Sequence, residues 1–290
     1  MIFEIKNSEL CVKISSHGAE LQSIVYNKRE YLWQGNPDFW SNRATVLFPV
    51  VGRCLNNEIV TDNGSYPIGQ HGFARYMEFE AESVNADSCT LILKSNSETK
   101  KHYPYDFIFR VTYRLDGKRL INRFETENTG SEELFYAIGG HPGFSCPPEE
   151  GAFGNWEIIT EFDEPLLSLP VTNEGYIIGE RTIPVEHKEG HIALKRSLFK
   201  NDALIFDNIK SKKLTLRNIN TGIGASVEFA DFPAVGIWTL PKDGADYVCL
   251  EPWCGMAHNI NESGRLDGKR DLVKLEAGGK CTKSFTIEVF

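Results

Sequence analysis

The chain has 290 residues, 41% of them hydrophobic and 24% charged, and a chain this long buries about three quarters of its unfolded surface without a disulfide framework. Its formal net charge of −9 disfavours nucleic acid and anionic membranes as partners, and no apolar stretch approaches the ~20 residues that cross a bilayer. The seven cysteines are scattered without a Cys-x-x-Cys pair, and the N-terminus lacks a signal-peptide layout, so we expect a cytoplasmic protein with reduced thiols and no zinc site.

The dominant hydrophobic period along the chain is two, which is the period of half-buried β-strands. It begins at residues 3–5 and 10–14 and is clearest at 107–115, which an Asp116-Gly117 dipeptide separates from a second run at 120–124. Asp-Gly between two alternating runs predicts a hairpin with a type I′ turn. Further strands are predicted at residues 90–93, 213–216, 225–229, 235–238, 247–250 and 284–289.

Helical periodicity is nearly absent, and only short turns are predicted at residues 37–42 and 197–200. Residues 147–190 are rich in Pro, Gly and Glu, which indicates long loops with occasional strands rather than a domain boundary. Many short strands with regular turn signals predict an all-β fold, either a sandwich or a barrel. We predict a single domain over residues 1–290.

Two segments each hold one histidine among glycines, GQHGFAR at residues 69–75 and GGHPGFS at residues 139–145. Glycine lets the chain turn sharply at His71, so we expect its side chain to be exposed on a loop. Proline pushes the residue before it, His141, towards an extended conformation. Histidine titrates near neutral pH and is suited to moving protons. The alternative is that both are turn histidines bonded to nearby carbonyls.

A third segment, LEPWCG at residues 250–255, puts Glu251 at the end of a hydrophobic run and beside Trp253. Partial burial would raise the pKa of this carboxyl towards the range of a general base. The alternative is a surface glutamate at a strand end. Trp253 would stack on the apolar face of a sugar, although tryptophan more often fills a core. Two imidazoles and a carboxylate on loops suggest an acid–base enzyme acting on a small polar substrate.

The best-placed cations are Arg53 and Arg75. Arg53 follows the apolar run FPVVG at residues 48–52, which is predicted to be a buried strand that carries the arginine at its tip. A guanidinium holds a hydroxyl, carboxylate or phosphate in fixed geometry, and a structural salt bridge is an equal alternative. Serine-nucleophile, phosphate-loop and dinucleotide-binding motifs are missing from the sequence, so acid–base chemistry without a metal or other cofactor is the leading interpretation.

Taken together, these motifs resemble the aldose 1-epimerase (galactose mutarotase-like) family, and most closely its bacterial lactose-operon-associated branch. Their order and spacing agree from about Phe3 to Phe290, and the opening ISSHGAEL at residues 14–21 also looks like this family. The resemblance implies a large antiparallel β-sandwich, a supersandwich, with an open cleft. It implies interconversion of the α and β anomers of an aldohexose such as galactose or glucose, with no cofactor.

The resemblance also implies roles for individual residues. Glu251 would be the general base that takes the proton from the anomeric hydroxyl, and His141 the general acid that protonates the ring oxygen. His71 would bind the substrate and support the charge that develops on oxygen. Arg53 would hold sugar hydroxyls.

The family's sugar-binding aspartate falls within NDALIFD at residues 201–207. Asp202 matches best, but Ala203 replaces the histidine that usually follows it, and Asp207 is close enough to leave the assignment open.

Three alternatives to a free-sugar epimerase follow from the same residues. The HGFAR spelling is shared with relatives that act on hexose 6-phosphates, and Arg75 or Arg43 would then bind the phosphate. A non-catalytic carbohydrate-binding protein on the same fold is the second alternative. A metal-dependent enzyme that uses the same histidines is the third. We expect a small-molecule sugar as the partner and either a monomer or a homodimer.

Overall fold

The computed structural model describes residues 1–207 and 209–290, which form β-strands joined by turns and short 3-10 helices. No helix in these two ranges has the length and apolarity that a membrane span requires. In chain order the strands are β1 (Ile2–Lys6), β2 (Leu10–Ser15), β3 (Leu21–Tyr26), β4 (Arg29–Glu30), β5 (Ala44–Leu47), β6 (Glu58–Thr61), β7 (Gly64–Pro67), β8 (Glu80–Val84), β9 (Ser88–Lys94), β10 (Phe107–Asp116), β11 (Arg119–Asn128), β12 (Leu134–Tyr136), β13 (Ile138–Ser145), β14 (Trp156–Thr160), β15 (Leu167–Ser168), β16 (Ile183–Pro184), β17 (His191–Ala193), β18 (Leu204–Asp207), β19 (Lys213–Asn218), β20 (Gly224–Glu228), β21 (Ala234–Trp238), β22 (Tyr247–Cys254), β23 (Val273–Leu275) and β24 (Lys280–Val289). The 3-10 helices are Leu55–Asn57, Ala74–Tyr76, Thr99–Lys101, Pro148–Glu150, Phe153–Asn155, Arg196–Phe199 and Leu266–Gly268.

Two large antiparallel sheets dominate the fold. The nine-stranded sheet has the order β17-β14-β19-β20-β24-β11-β10-β9-β8, and the five-stranded sheet has the order β18-β21-β22-β13-β5. A four-stranded sheet, β1-β2-β3-β4, is formed by the first residues of the chain, and three two-stranded ribbons pair β6 with β7, β12 with β23 and β15 with β16. The five-stranded sheet is the one that carries the candidate site.

The core lies between the two large sheets. A Cβ added at Gly140 of β13 would lie 2.6 Å from the ring of Phe285 of β24, so the five-stranded sheet can approach the nine-stranded sheet closely only because residue 140 has no side chain. Phe48, just after β5, stacks on Phe109 of β10 with ring centroids 4.4 Å apart. Face-to-face packing of two antiparallel sheets confirms the predicted all-β sandwich.

The strands read from the period-two pattern are confirmed, because each predicted run lies within or overlaps an observed strand. The hairpin of β10 and β11 is also confirmed, but its turn lies one residue later than predicted. Asp116 pairs with Arg119, which leaves Gly117 and Lys118 as the central residues, and of these only Gly117 has a positive φ. The predicted type I′ turn, which requires positive φ at both positions, is therefore wrong.

The predicted strand at residues 48–52 is wrong. Strand β5 ends at Leu47, and the following residues form a bend that crosses towards the loop around residue 72. Phe48 makes an isolated parallel bridge with Gly72, where a Cβ would lie 2.2 Å from the carbonyl oxygen of Phe48. The apolar run is buried as expected, but it is buried as a bend rather than as a strand.

Candidate active site

A cavity of about 290 Å³ opens on one face of the five-stranded sheet. Strands β13, β18, β21 and β22 contribute side chains to its wall, and loops contribute the remainder. Six of the seven residues assigned from the sequence line this cavity, namely His71, Arg75, His141, Asp202, Glu251 and Trp253, and Arg53 is the exception.

His141 and Glu251 form the centre of the cavity wall. The pairs Gly139–Trp253 and Gly143–Cys249 in the ladder of β13 and β22 put them at facing positions, and His141 Nε2 lies 3.2 Å from Glu251 Oε2. Both residues lie inside strands, so their predicted placement on loops is wrong. Strand β22 continues for three residues beyond Glu251, which is 1% exposed rather than half-buried at a strand end.

Burial decides how this pair is charged. It raises the pKa of Glu251 well above its usual value, and the negative charge of Asp202 raises that pKa further. The nearby indole N–H of Trp253 acts in the opposite direction and lowers the pKa of Glu251. Its distance and angle do not amount to a regular hydrogen bond with any described residue. Burial lowers the pKa of His141 to about 3, against the effect of its own backbone carbonyl. Both shifts therefore favour the uncharged forms, a protonated carboxyl beside a neutral imidazole.

His71 is held against Gly52 by two hydrogen bonds. The Gly52 N–H donates to His71 Nδ1 at 3.1 Å, and the His71 N–H donates to the Gly52 carbonyl at 2.9 Å. His71 has φ 65 and Gly72 has φ 75, and His71 is only 8% exposed. The predicted exposure of His71 is therefore wrong.

The hydrogen bond from Gly52 also fixes the tautomer of His71. Because Nδ1 accepts, the proton of the neutral ring lies on Nε2. Burial lowers the pKa of His71 well below its usual value, and the nearby His141, Arg75 and Arg53 lower it further. The ring of His71 meets the ring of His141 edge to face, with centroids 5.6 Å apart. His71 is thus a neutral hydrogen-bond donor beside the pair.

Three indoles line the cavity. Trp40 stacks on His141 with centroids 4.9 Å apart and is backed by Tyr247 at 5.5 Å. Trp238 meets the edge of His141 at 5.8 Å. Trp253 packs over Gly236, where a Cβ would lie 2.5 Å from the indole. From the sequence Trp253 was expected to stack on a sugar, and neither Trp40 nor Trp238 was connected with His141.

The arginines differ in their access to the cavity. Arg75 lines it, donates from Nη2 to the Gln70 carbonyl at 3.0 Å and lies 4.7 Å above the ring of Tyr76. Gln70, which also lines the cavity, was missed from the sequence although it lies beside His71. Arg53 does not line the cavity and packs against Gly175, where a Cβ would lie 3.4 Å from Arg53 Nε.

The two candidate aspartates lie in different surroundings. Asp202 lines the cavity with φ 82, its Oδ1 accepts from the N–H of Ala203 at 2.8 Å, and burial raises its pKa. Asp207 is buried outside the cavity and forms ion pairs with Arg181 at 3.3 Å and Arg270 at 3.1 Å. Of the two aspartates, Asp202 therefore has the side chain that can contact a ligand in this cavity.

One group of side chains in the described residues has the composition of a metal site. His141, Cys249 and Glu251 each offer a ligand atom, and these atoms lie within 4.8 Å of one another. Cys249 is fully buried beside the pair and does not line the cavity.

Comparison with known proteins gives consistent matches over the full length of the chain. A family model described as aldose 1-epimerase matches residues 1–288. The chain is 33% identical over 298 residues to the chromosomal LacX protein of Lactococcus lactis subsp. lactis, covering 100% of this chain and 99% of that protein.

Solved structures with the same fold include a galactose mutarotase related enzyme from Lactobacillus acidophilus, which is 34% identical with a TM-score of 0.95 and covers 100% of this chain and 97% of that one. They also include a galactose mutarotase-like protein from Lactobacillus casei ATCC 334, which is 27% identical with a TM-score of 0.94 and full coverage of both chains.

Proposed function

Because this chain belongs to the aldose 1-epimerase family, we propose that it is a mutarotase that interconverts the α and β anomers of an aldohexose such as galactose or glucose. The observation that carries the proposal is the buried pair of His141 and Glu251, 3.2 Å apart in the wall of a cavity of about 290 Å³. That volume is at the small end of ligand cavities, which hold roughly 300–1,000 Å³.

Ring opening of a hemiacetal moves one proton off the anomeric hydroxyl and one proton onto the ring oxygen. It therefore needs one base and one acid that contact the same sugar ring. His141 and Glu251 can share one exchangeable proton, and an imidazolium beside a carboxylate is the acid and base that this chemistry requires. After ring opening, rotation about the C1–C2 bond and the reverse transfers close the ring on the other face.

In the proposed roles Glu251 acts as the base in its carboxylate form and His141 acts as the acid in its imidazolium form. This state differs from the resting neutral pair only by transfer of the proton across the 3.2 Å separation. Hydrogen bonds from a sugar hydroxyl would favour the carboxylate, because donors to the charged form lower a pKa. The face of Trp40, stacked on His141, would favour the imidazolium through a cation–π interaction.

His71 would donate from Nε2 to the oxygen on which charge develops. A fixed neutral donor stabilises such charge in a site that excludes water. Asp202 and Arg75 would bind sugar hydroxyls from the cavity wall. Arg53, assigned to sugar hydroxyls from the resemblance, does not line the cavity but lies beside Gly175, which does, so we propose that it acts mainly through its positive charge.

The reaction needs no cofactor in this proposal. Substrate and product differ only in the configuration at C1, so there is no net redox change. Each well-placed acid or base contributes about 10²–10⁴-fold to the rate, which gives the pair enough catalytic power for an intrinsically easy ring opening.

A hexose-6-phosphate epimerase is the second candidate. Arg75 favours it, because its buried Nε has no hydrogen-bond partner among the described residues and arginine binds phosphate well. Against it, Arg75 is the single arginine or lysine in the cavity wall formed by the described residues, and the guanidinium of Arg43 packs at Gly35 and does not line the cavity. The free sugar is therefore the preferred substrate class.

The test follows the optical rotation of freshly dissolved α-galactose, α-glucose and their 6-phosphates with and without the protein. We expect faster decay to the equilibrium rotation for a free sugar. Faster decay for the phosphates alone would establish the second candidate. Sugar binding without any acceleration would instead indicate a carbohydrate-binding protein.

A further inference from the structure

Cys249 is a buried thiol that the proposed acid–base mechanism does not use. It precedes Glu251 by two residues on β22, and side chains two apart on a strand share one face. It pairs with Gly143 of β13, where a Cβ would lie 3.3 Å from the sulfur. The missing side chain at Gly143 therefore lets the Trp40 ring and the Cys249 sulfur pack close to β13 on the face that also carries His141.

The three side chains come from two hydrogen-bonded strands, which fixes their relative positions. One nitrogen of His141, the sulfur of Cys249 and one oxygen of Glu251 all lie within 4.8 Å of one another. Tetrahedral zinc, with bonds of about 2.0–2.3 Å, separates its ligand atoms by roughly 3.3–3.8 Å. Side-chain rotations of these residues would close the remaining gap without moving the backbone of either strand.

The composition of the group suits a thiophilic cation. Imidazole, thiolate and carboxylate are the three side chains that bind zinc in proteins, and three protein ligands leave a fourth position for water. Thiolate and carboxylate together carry two negative charges, so a divalent cation would leave the buried group neutral overall. A hard cation such as Mg²⁺ prefers oxygen ligands and would not gain from the sulfur.

A cation would reach the group from the sugar cavity. His141 and Glu251 line that cavity, whereas Cys249 lies fully buried beside them. The cation would enter where the sugar enters and would meet the imidazole and the carboxyl first.

We propose that His141, Cys249 and Glu251 form an inhibitory binding site for a thiophilic divalent cation such as Zn²⁺. Binding releases one proton from the thiol and one from the carboxyl, and the metal forms bonds to sulfur, oxygen and nitrogen. The inhibition rests on the proposed function, because the cation occupies the acid and the base that ring opening needs. The binding itself does not depend on that function.

The test uses Co²⁺ as a spectroscopic probe of the chelator-treated protein. Wild type is expected to bind one Co²⁺ per chain and to develop a thiolate-to-cobalt charge-transfer band in the near ultraviolet. Cys249→Ala is expected to lose that band and to bind Zn²⁺ at least tenfold more weakly in competition with a chromophoric chelator. The matched control is Cys89→Ala, another fully buried strand cysteine, which lies in the nine-stranded sheet and should leave the band unchanged.

Mutarotation assays complete the test. Zn²⁺ should inhibit wild type and Cys89→Ala, a chelator should restore both, and Cys249→Ala should be active and need at least tenfold more Zn²⁺ for half-inhibition. A charge-transfer band that persists in Cys249→Ala, or a wild type that binds no Co²⁺, would overturn the proposed site. If no sugar is turned over, the cobalt titration still decides the site, so failure of the mutarotase proposal is distinguishable from failure of this one. Urea denaturation of Cys249→Ala verifies that the variant folds.

Discussion

His141 and Glu251 face each other across two antiparallel strands, with 3.2 Å between Nε2 and Oε2. The hydrogen-bonded ladders on both sides of the pair, at Gly139–Trp253 and Gly143–Cys249, fix the backbone positions from which the two side chains project. A pair supported by rigid strands is held near its working geometry before any substrate binds. Most of the cost of orienting the acid and the base is therefore met when the protein folds.

Removal of either member of the pair should abolish most of the activity. Glu251→Gln keeps the shape of the carboxyl but cannot accept the anomeric proton, and His141→Ala removes the acid. We expect each to lower kcat for mutarotation of α-galactose or α-glucose by about 10²–10⁴-fold. The double variant should be little slower than the worse single variant, because residues that act as a unit are not additive.

Polarimetry on fresh α-anomers measures these rates, with Glu78→Gln as a control for loss of an exposed carboxylate. If Glu251→Gln kept more than about a tenth of the wild-type rate, Glu251 could not be the base.

Substitution of Asp202 should change KM, whereas substitution of Asp207 should change the unfolding free energy. Asp202→Asn keeps the oxygen that accepts from Ala203 but loses its charge, so we expect KM to rise about tenfold or more with little change in kcat. Asp207→Asn leaves Arg181 and Arg270 without the negative charge of their buried partner, and we expect a loss of about 1–3 kcal/mol in unfolding free energy with KM unchanged.

Initial rates over a range of sugar concentrations and urea denaturation measure the two effects. The opposite pattern, with KM raised only in Asp207→Asn, would assign sugar binding to Asp207.

The strands of this protein could be predicted because the period-two alternation of hydrophobic residues lies within each short segment and does not depend on distant parts of the chain. Residues 107–115 and 120–124 alternate strongly enough to predict both strands and their pairing. The turn between them was misplaced by one residue because the pairing register of Asp116 with Arg119 depends on the whole hairpin.

The site was predictable in its residue types but not in its geometry. GGHPGF contains three glycines and a proline, which favour a loop, yet neighbouring strands on both sides hold it as β13. His71 is buried by hydrogen bonds to Gly52, nineteen residues earlier, and no local pattern encodes that contact. The stack of Trp40 on His141 spans about a hundred residues of sequence and leaves no periodic signal.

The close approach of the loop around residue 72 to Phe48 should make Gly72 irreplaceable. Gly72 has φ 75, and a Cβ there would lie 2.2 Å from the Phe48 carbonyl oxygen, which is backbone and cannot turn away. We expect Gly72→Ala to cost roughly 3–5 kcal/mol of unfolding free energy, from left-handed strain and overpacking together. It should also lower activity, because it displaces the adjacent His71.

Gly117→Ala is the matched control for Gly72→Ala. Gly117 also has a positive φ, 57, but its Cβ would meet no atom within 4 Å. Urea denaturation should show a cost of only about 1–2 kcal/mol, which is the left-handed strain alone. If both substitutions lowered the unfolding free energy equally, the backbone near Phe48 would be able to move aside for the added methyl group.

His258 should make the protein sensitive to mild acid. It is fully buried, its Nδ1 accepts from the Leu55 N–H at 2.9 Å, and burial together with the positive charge of Lys269 lowers its pKa to about 4. In the unfolded chain a histidine has a pKa of about 6.5, so between pH 6.5 and 4 the unfolded state binds the extra proton and stability rises with pH. The contribution is complete above about pH 6.5, and up to about 3 kcal/mol is lost as the pH falls through the folded pKa.

His258→Asn tests this dependence, because the asparagine oxygen can accept from Leu55 but does not titrate. The unfolding free energy, measured by urea denaturation, should decrease from pH 7 to pH 4 in both proteins. We expect this decrease to be about 3 kcal/mol smaller in the variant than in wild type. His71 and His141, whose pKa values burial also lowers, contribute with the same sign to both proteins and cancel in the difference. Lys269→Met removes the neighbouring charge and should reduce the pH dependence part of the way. If the unfolding free energy of His258→Asn decreased from pH 7 to pH 4 as much as that of wild type, His258 would not be the source of the acid sensitivity.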